Sequence, residues 1–231
     1  MSRSAQAPVG TFHIEGVIHA LETFDFEQDY GPSDDGNRIH HEPIGVCGLI
    51  TPWNWPMNQV TLKVIPALAA GCTVVLKPSE VAPISSMIFA EVIEEACLPA
   101  GVFNLVNGEG ATVGEAMSSH VGIDMMSFTG STHAGIAVAA GAAKTVKRVT
   151  LELGSKSPNL IFADCDVKAA VERGVMACFQ NSGQSCDAPT RMLVERSVYS
   201  DAVKFAAAFA ESVSVGDPAE TGDHIGPLAN C

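Results

Sequence analysis

Positive charge is scarce in this chain of 231 residues: 13 Lys and Arg stand against 26 Asp and Glu, a net charge of -13. A nucleic-acid partner would require a basic face, so that class of function is set aside. Long apolar runs are missing too, because Gly, Pro or a charge interrupts each one well short of the roughly 20 residues that span a bilayer. The seven cysteines, at 47, 72, 97, 165, 178, 186 and 231, contain no C-x-x-C pair. An odd number, mostly inside apolar runs, fits neither a disulfide framework nor a zinc site. His40, His41 and His133 lack partners at metal-ligand spacing, so no metal is expected. The N-terminus, Met1-Ser2-Arg3-Ser4-Ala5, leads into mixed polar sequence rather than a signal peptide. A reducing, cytoplasmic setting follows as the expectation. Internal repeats and low-complexity tracts are absent as well.

What is present is regular. Hydrophobic residues make up 47% of the chain, enough for a substantial core in one large or two smaller α/β domains. Residues 1–43 are the least patterned: a helix is expected over 14–26, with Val17, Ile18, Leu21 and Phe24 on one stripe, and a loop over 30–37. From residue 44 onward strands alternate with helices. Strands are expected at 44–50, 73–76, 102–106, 125–128 and 148–153, with helices at 60–70, 85–97, 112–119 and up to 143. That alternation predicts a doubly wound parallel sheet with right-handed crossovers, a Rossmann-like domain over 44–153. A second, partial α/β unit over 154–231 is expected from strands at 159–163 and 192–195 and helices at 167–179 and 201–213.

In such sheets ligands bind beyond the carboxyl ends of the strands. Four segments fall there: Trp53-Asn54, 77–80, 130–135 and 152–154. Gly130-Ser131-Thr132 stands where a strand passes into a helix, whose free N–H groups suit a phosphate, or where Ser131 or Thr132 simply caps the helix. Lys77 and Glu80 follow a buried strand and suit ribose hydroxyls; the carboxylate would repel a 2′-phosphate and favour NAD over NADP. A solvated turn is their plain alternative. Glu152, in an otherwise apolar strand end, is read as buried, which would raise its pKa toward that of a general base; a structural ion pair is the rival. Asn54, among two tryptophans and two prolines, offers an amide to a developing oxyanion or serves as a turn residue. Cys186 lies on the polar loop after an apolar helix, where a thiol can face a cleft as a nucleophile, unless it is one more small buried side chain.

Taken together, the segments 50–56, Lys77-Pro78-Ser79-Glu80, Phe128-Thr129-Gly130-Ser131-Thr132, Leu151-Glu152-Leu153-Gly154 and Gly183-Gln184-Ser185-Cys186 resemble the aldehyde dehydrogenase superfamily, in its hydrolytic, NAD(P)-dependent branch. The resemblance runs from about residue 13 to residue 227. It implies Cys186 as nucleophile, Glu152 as general base and Asn54, with the Cys186 N–H, as oxyanion donor. It also implies cofactor contacts from Ile50, Thr51, Trp53, Lys77, Ser79, Glu80, Gly110, Gly114, Phe128, Gly130, Ser131 and Leu153. The implied reaction is oxidation of a small-molecule aldehyde to a carboxylic acid through a thiohemiacetal and a thioester, with NAD as cofactor and no membrane or nucleic-acid partner. Full-length relatives are expected to be homo-oligomers.

Three departures from the family pattern bear on this. Ser155 stands where a second glycine is usual, which matters if that position needs a positive φ or a close backbone approach. Asp187 puts a carboxylate directly after the nucleophile, and a nearby carboxylate disfavours a thiolate unless it points away. Finally, the family's remaining catalytic segments, its Glu-x-Phe-Gly-Pro stretch and its C-terminal hairpin do not occur in this sequence. The alternative reading is therefore a non-catalytic piece that at most binds nucleotide, with little turnover and a tendency to self-associate.

Overall fold

The structure, a computed structural model, describes residues 5–31 and 36–229. They fall into two compact units divided between Leu153 and Gly154.

The first unit opens with α1 (Ala7–Thr23), whose Pro8 sits in the first turn, where a missing N–H costs nothing. This helix starts earlier than the 14–26 expected and stops sooner, because Phe24 turns to extended backbone at φ -81 and ψ 117. An antiparallel hairpin follows, β1 (Glu27–Asp29) with β2 (Arg38–His40), whose strands flank the expected loop of 30–37 on residues where no strand was expected. Strands of three exposed residues show no alternation from which to read them. The centre of that expected loop, residues 32–35, lies outside the described residues.

The sheet that organises the unit is parallel: β3 (Val46–Ile50), β4 (Thr73–Lys77), β5 (Phe103–Leu105), β6 (Met125–Gly130) and β7 (Arg148–Leu153) lie in the order β5-β4-β3-β6-β7. The expected doubly wound fold is what forms. Between the strands come α2 (Pro56–Ala69), α3 (Ile84–Glu95), a single π-helical turn at Gly110–Gly114 leading into α4 (Glu115–Ser119), and α5 (Thr132–Ala143). Helix α2 begins four residues before the expected start: Pro56, readable as a breaker, is its first residue. One core lies between the sheet and α2 and α3, centred on Leu49, Val60, Val64, Val74 and Leu76. The other, with Ile50, Met126, Phe128 and Val138, lies under α4 and α5. Because successive strand residues point to opposite faces, β3 and β6 contribute to both cores, and continuous apolar runs are the result.

The second unit pairs β8 (Pro158–Ile161) with β9 (Arg191–Val194) in parallel. Helices α6 (Val167–Phe179) and α7 (Tyr199–Ser212) cover one face through Ile161, Val171, Val175 and Ala202. On the other face Leu160, Phe162 and Leu193 are exposed. Asp166 caps α6 by accepting from the Ala169 N–H at 3.1 Å, which fixes the helix start where the sequence reading put it.

Candidate active site

Strand order reverses between β3, which continues to β4 on one side, and β6 on its other side. A crevice opens at such a switch point, beyond the strands' carboxyl ends. A cleft of about 590 Å³ is found there, lined among others by Ile50, Gly110, Gly114, Phe128, Ala134 and Val138. That volume is in the range of small-molecule sites. Four of the expected cofactor residues, Ile50, Gly110, Gly114 and Phe128, thus meet in one cavity. Helix α5 closes one wall because Gly135 has no side chain: a Cβ there would stand 2.6 Å from Leu153. Leu153 itself is half-buried against the Phe128 core.

At the strand ends several of the expected polar groups have partners within the chain. Ser131 is the N-cap of α5 and its Oγ accepts from the Ala134 N–H at 3.2 Å, the capping role anticipated as its alternative; Gly130 precedes it as the last residue of β6. Lys77, the last residue of β4, is only 2% exposed. Its Nζ donates to Glu80 Oε2 at 2.8 Å and to the Pro78 carbonyl at 3.1 Å. Glu80 is half-exposed, and the Lys77 hydrogen bond, with backbone N–H groups of Glu80 and Gly110, holds its carboxyl below the usual range. The pair therefore ties the end of β4 to the Gly110 turn instead of forming a freely solvated turn. Ser79 is buried and its Oγ accepts from the Val81 N–H at 3.3 Å. Thr51 is buried, and its N–H donates to the Lys77 carbonyl at 3.2 Å. Trp53 and Asn54 are half-buried in the turn before α2. The Asn54 carbonyl accepts from Gln6 Nε2 at 3.4 Å, and its side-chain oxygen is shielded from solvent.

The expectation that Glu152 is buried is corrected: it is exposed. The cause is its place on β7, which pairs with β6 on one side only and is the edge strand of the sheet. Its surroundings contain a group that the sequence reading missed. Lys63 on α2 donates to Ser127 Oγ at 2.7 Å, and burial pushes its ammonium pKa down to about 8, against the opposing pull of the Glu152 carboxylate. Ser127 and Thr129 of β6 share a face and stand opposite Thr150 and Glu152. The signal was a lysine set among the buried positions Val60, Thr61 and Val64 of one helix.

In the second unit Cys186 is exposed on the loop between α6 and β9. The backbone leading to it turns through three consecutive left-handed residues, Asn181 (φ 53), Ser182 (φ 58) and Gly183 (φ 74). Glycine and asparagine adopt that region readily, whereas serine does so at some cost. Hydrogen bonds hold the turn: Ser182 Oγ donates to the Gly226 carbonyl at 2.7 Å, Gln184 Oε1 accepts from the Ala229 N–H at 2.9 Å, and Gln184 Nε2 donates to the Asn181 carbonyl at 3.2 Å. Cys47 and Cys72 are buried, but Cys97 and Cys165 are as open as Cys186, at the end of α3 and in the turn before α6. Ser155 is not among the residues of positive φ, so a glycine is not required there for its backbone angles. Among the described residues no cluster of three or more His, Cys, Asp or Glu could hold a metal, and no helix is long and apolar enough to cross a membrane.

Comparison with known proteins places this arrangement. The sequence model described as "Aldehyde dehydrogenase family" matches residues 12–231. A 3-succinoylsemialdehyde-pyridine dehydrogenase of a Pseudomonas species is 51% identical over 225 residues, which are 97% of this chain and 46% of that protein. The crystal structure of an aldehyde dehydrogenase from Bartonella henselae has a TM-score of 0.94 at 56% identity, covering 98% of this chain and 47% of the other. An aldehyde dehydrogenase C variant from Pseudomonas syringae, complexed with NAD+ and octanal, superposes with a TM-score of 0.94 at 52% identity, covering 99% and 46%. The chain spans about half the length of the curated relatives it matches. A switch-point cleft, a cysteine loop and a family match over nearly the whole sequence lead to one conclusion: the chain belongs to the aldehyde dehydrogenase family.

Proposed function

We propose that this chain serves NAD-dependent oxidation of an aldehyde to a carboxylic acid, with Cys186 as the nucleophile. The observation that carries the reading is Cys186, exposed on a turn braced by Ser182 and Gln184, in a chain that matches the family over residues 12–231. The Cys186 thiolate attacks the aldehyde carbon, the C–S bond forms, and the carbonyl electron pair moves to oxygen as a thiohemiacetal. Asn54 is assigned as donor to that oxyanion. NAD, when bound, would supply an acceptor for the hydride that leaves the carbon of the Cys186 adduct, and loss of that hydride leaves a thioester on Cys186. Glu152 then takes a proton from water, the water oxygen attacks the thioester carbon, and the C–S bond breaks to release acid and thiolate.

The cleft fits the cofactor. Its volume, the α5 N-terminus at Ser131 and the buried Lys77 tied to Glu80 provide a hollow, a phosphate position and a ribose position. Lys77 and Glu80 would hold the adenosine ribose, Gly130 and Ser131 a phosphate, and Thr51, Trp53, Ser79 and Leu153 the remaining contacts. Lys63 is added as a buried cation that feels the Glu152 carboxylate. Octanal, named with the Pseudomonas syringae relative, suggests an uncharged aliphatic aldehyde as first substrate to try.

A second reading, nucleotide binding without turnover, draws on the exposure of Glu152 and Leu151 along the edge strand β7. One experiment separates the two: NADH formation from octanal, with NAD binding measured by calorimetry, for wild type, Cys186→Ala and Glu152→Gln. Turnover that Cys186→Ala abolishes while NAD binding persists supports oxidation. NAD binding with no turnover in the wild type supports the second reading.

A further inference from the structure

One charge next to the nucleophile has no part in the reaction described above. Asp187 follows Cys186 directly, and both residues are exposed. The Asp187 carboxylate has no hydrogen bond or ion pair among the described residues. Residues 183–190 include no Lys or Arg to offset it. The next cation along the chain, Arg191, is turned elsewhere: its Nε donates to the Lys156 carbonyl at 2.6 Å. The Lys156 ammonium in turn donates to the Ser155 carbonyl at 3.3 Å. Consecutive Cα atoms across a trans peptide are about 3.8 Å apart, so in any rotamer the carboxylate lies within about 10 Å of the sulfur, one Debye length at 0.1 M salt. The Asp187 carboxylate therefore adds a negative contribution to the potential that a reagent or substrate meets at that sulfur.

We propose that Asp187 makes the Cys186 loop charge-selective, disfavouring aldehydes that carry a negative charge near the carbonyl and admitting neutral or cationic ones. This rests on Cys186 being the nucleophile and deepens that reading by naming the substrate class. The effect is electrostatic, so it is modest in size and sensitive to salt.

A pair of alkylating agents tests it without requiring turnover. Iodoacetamide and iodoacetate both form a C–S bond as iodide leaves, but only iodoacetate is anionic. The ratio of their rates at Cys186, read by peptide mapping of the full chain, cancels the fraction of reactive thiolate and reports the local potential. Asp187→Asn should raise the iodoacetate-to-iodoacetamide ratio about threefold at low salt, and the gain should fade in 1 M salt, where the Debye length is about 3 Å. Asp187→Glu, which keeps the charge, should stay near the wild-type ratio. A ratio unchanged by Asp187→Asn, with Cys186 still labelled, overturns charge selection and leaves the nucleophile assignment intact. Failure of both reagents to label Cys186 in the wild type overturns the nucleophile assignment and this inference together.

Discussion

At the carboxyl end of β4 and on the loop after α6, polar groups are held in place by different means. Lys77 is locked by side-chain burial and by an ion pair to Glu80, on a strand flanked on both faces by apolar cores. Cys186 follows backbone turned left-handed at residues 181–183 and stitched to the segment 226–229 by hydrogen bonds of Ser182 and Gln184. A cleft for a rigid ligand can be pre-built from packed side chains. A nucleophile that must be reached by its substrate is better placed on a loop whose backbone, not its burial, is fixed. The first arrangement fails when the core fails; the second fails when single hydrogen bonds are lost.

The largest expected effect tests that contrast in stability. Leu76→Ala, at a position with no exposure, should destabilise the first unit by about 3 kcal/mol, whereas Leu193→Ala, 54% exposed, should cost less than about 0.5 kcal/mol in the second. Chemical denaturation followed separately in each unit would show it. Comparable losses at the two sites would break the contrast.

Next in size is the Lys63 ammonium. Its pKa is depressed by burial to about 8, so the folded state holds this proton less tightly than the unfolded chain. Below about pH 8 both states are protonated and the penalty for burying the charge is present in full. It is relieved as pH rises from about 8 toward the ordinary lysine range near 10.4, so this group's contribution to stability grows with pH over that window. Lys63→Met should therefore raise stability at pH 7 by about 1–2 kcal/mol, less at pH 10, because a methionine has no charge to desolvate. A gain independent of pH would mean that packing rather than charge is responsible.

Smaller shifts sharpen the comparison at the two sites themselves. Ser182→Ala removes one hydrogen bond to the 226–229 segment and should cost about 1 kcal/mol locally, visible as faster amide exchange across residues 181–186 with none of the β4 amides affected. On the cleft side, calorimetry should show wild type binding NAD more tightly than NADP, and Glu80→Gln should narrow that preference by roughly tenfold. Equal affinity for the two nucleotides in wild type would remove the role given to Glu80.

Much of this could be read in the chain before any coordinates. Residues 148–153 and 167–179 form the elements expected over the same bounds, because an alternation of apolar and polar residues and an Asp N-cap specify them locally. The motif segments fall at strand ends for the same reason. What escaped depends on long-range placement. The pairing of Lys63 with Ser127 joins residues 64 positions apart, and the pull of the Glu152 carboxylate on Lys63 depends on the β6–β7 register, neither of which has a local signature. Glu152 was expected to be buried because its strand neighbours are apolar; edge position is a property of sheet order, not of the strand's own residues. The hairpin of β1 and β2 was too short and too exposed to leave a periodic trace.

Whether Cys186 carries the chemistry is decided by cysteine-resolved alkylation with iodoacetamide at neutral pH. Exposure alone predicts similar rates at Cys97, Cys165 and Cys186, since all three are open to solvent. Cys47, whose thiol is pushed up to about 12 by burial and by neighbouring Cys72 and Asp124, should stay unlabelled. As the reactive thiol, Cys186 should label at least about tenfold faster than Cys97 and Cys165. Labelling of Cys97 or Cys165 as fast as Cys186 would contradict that role.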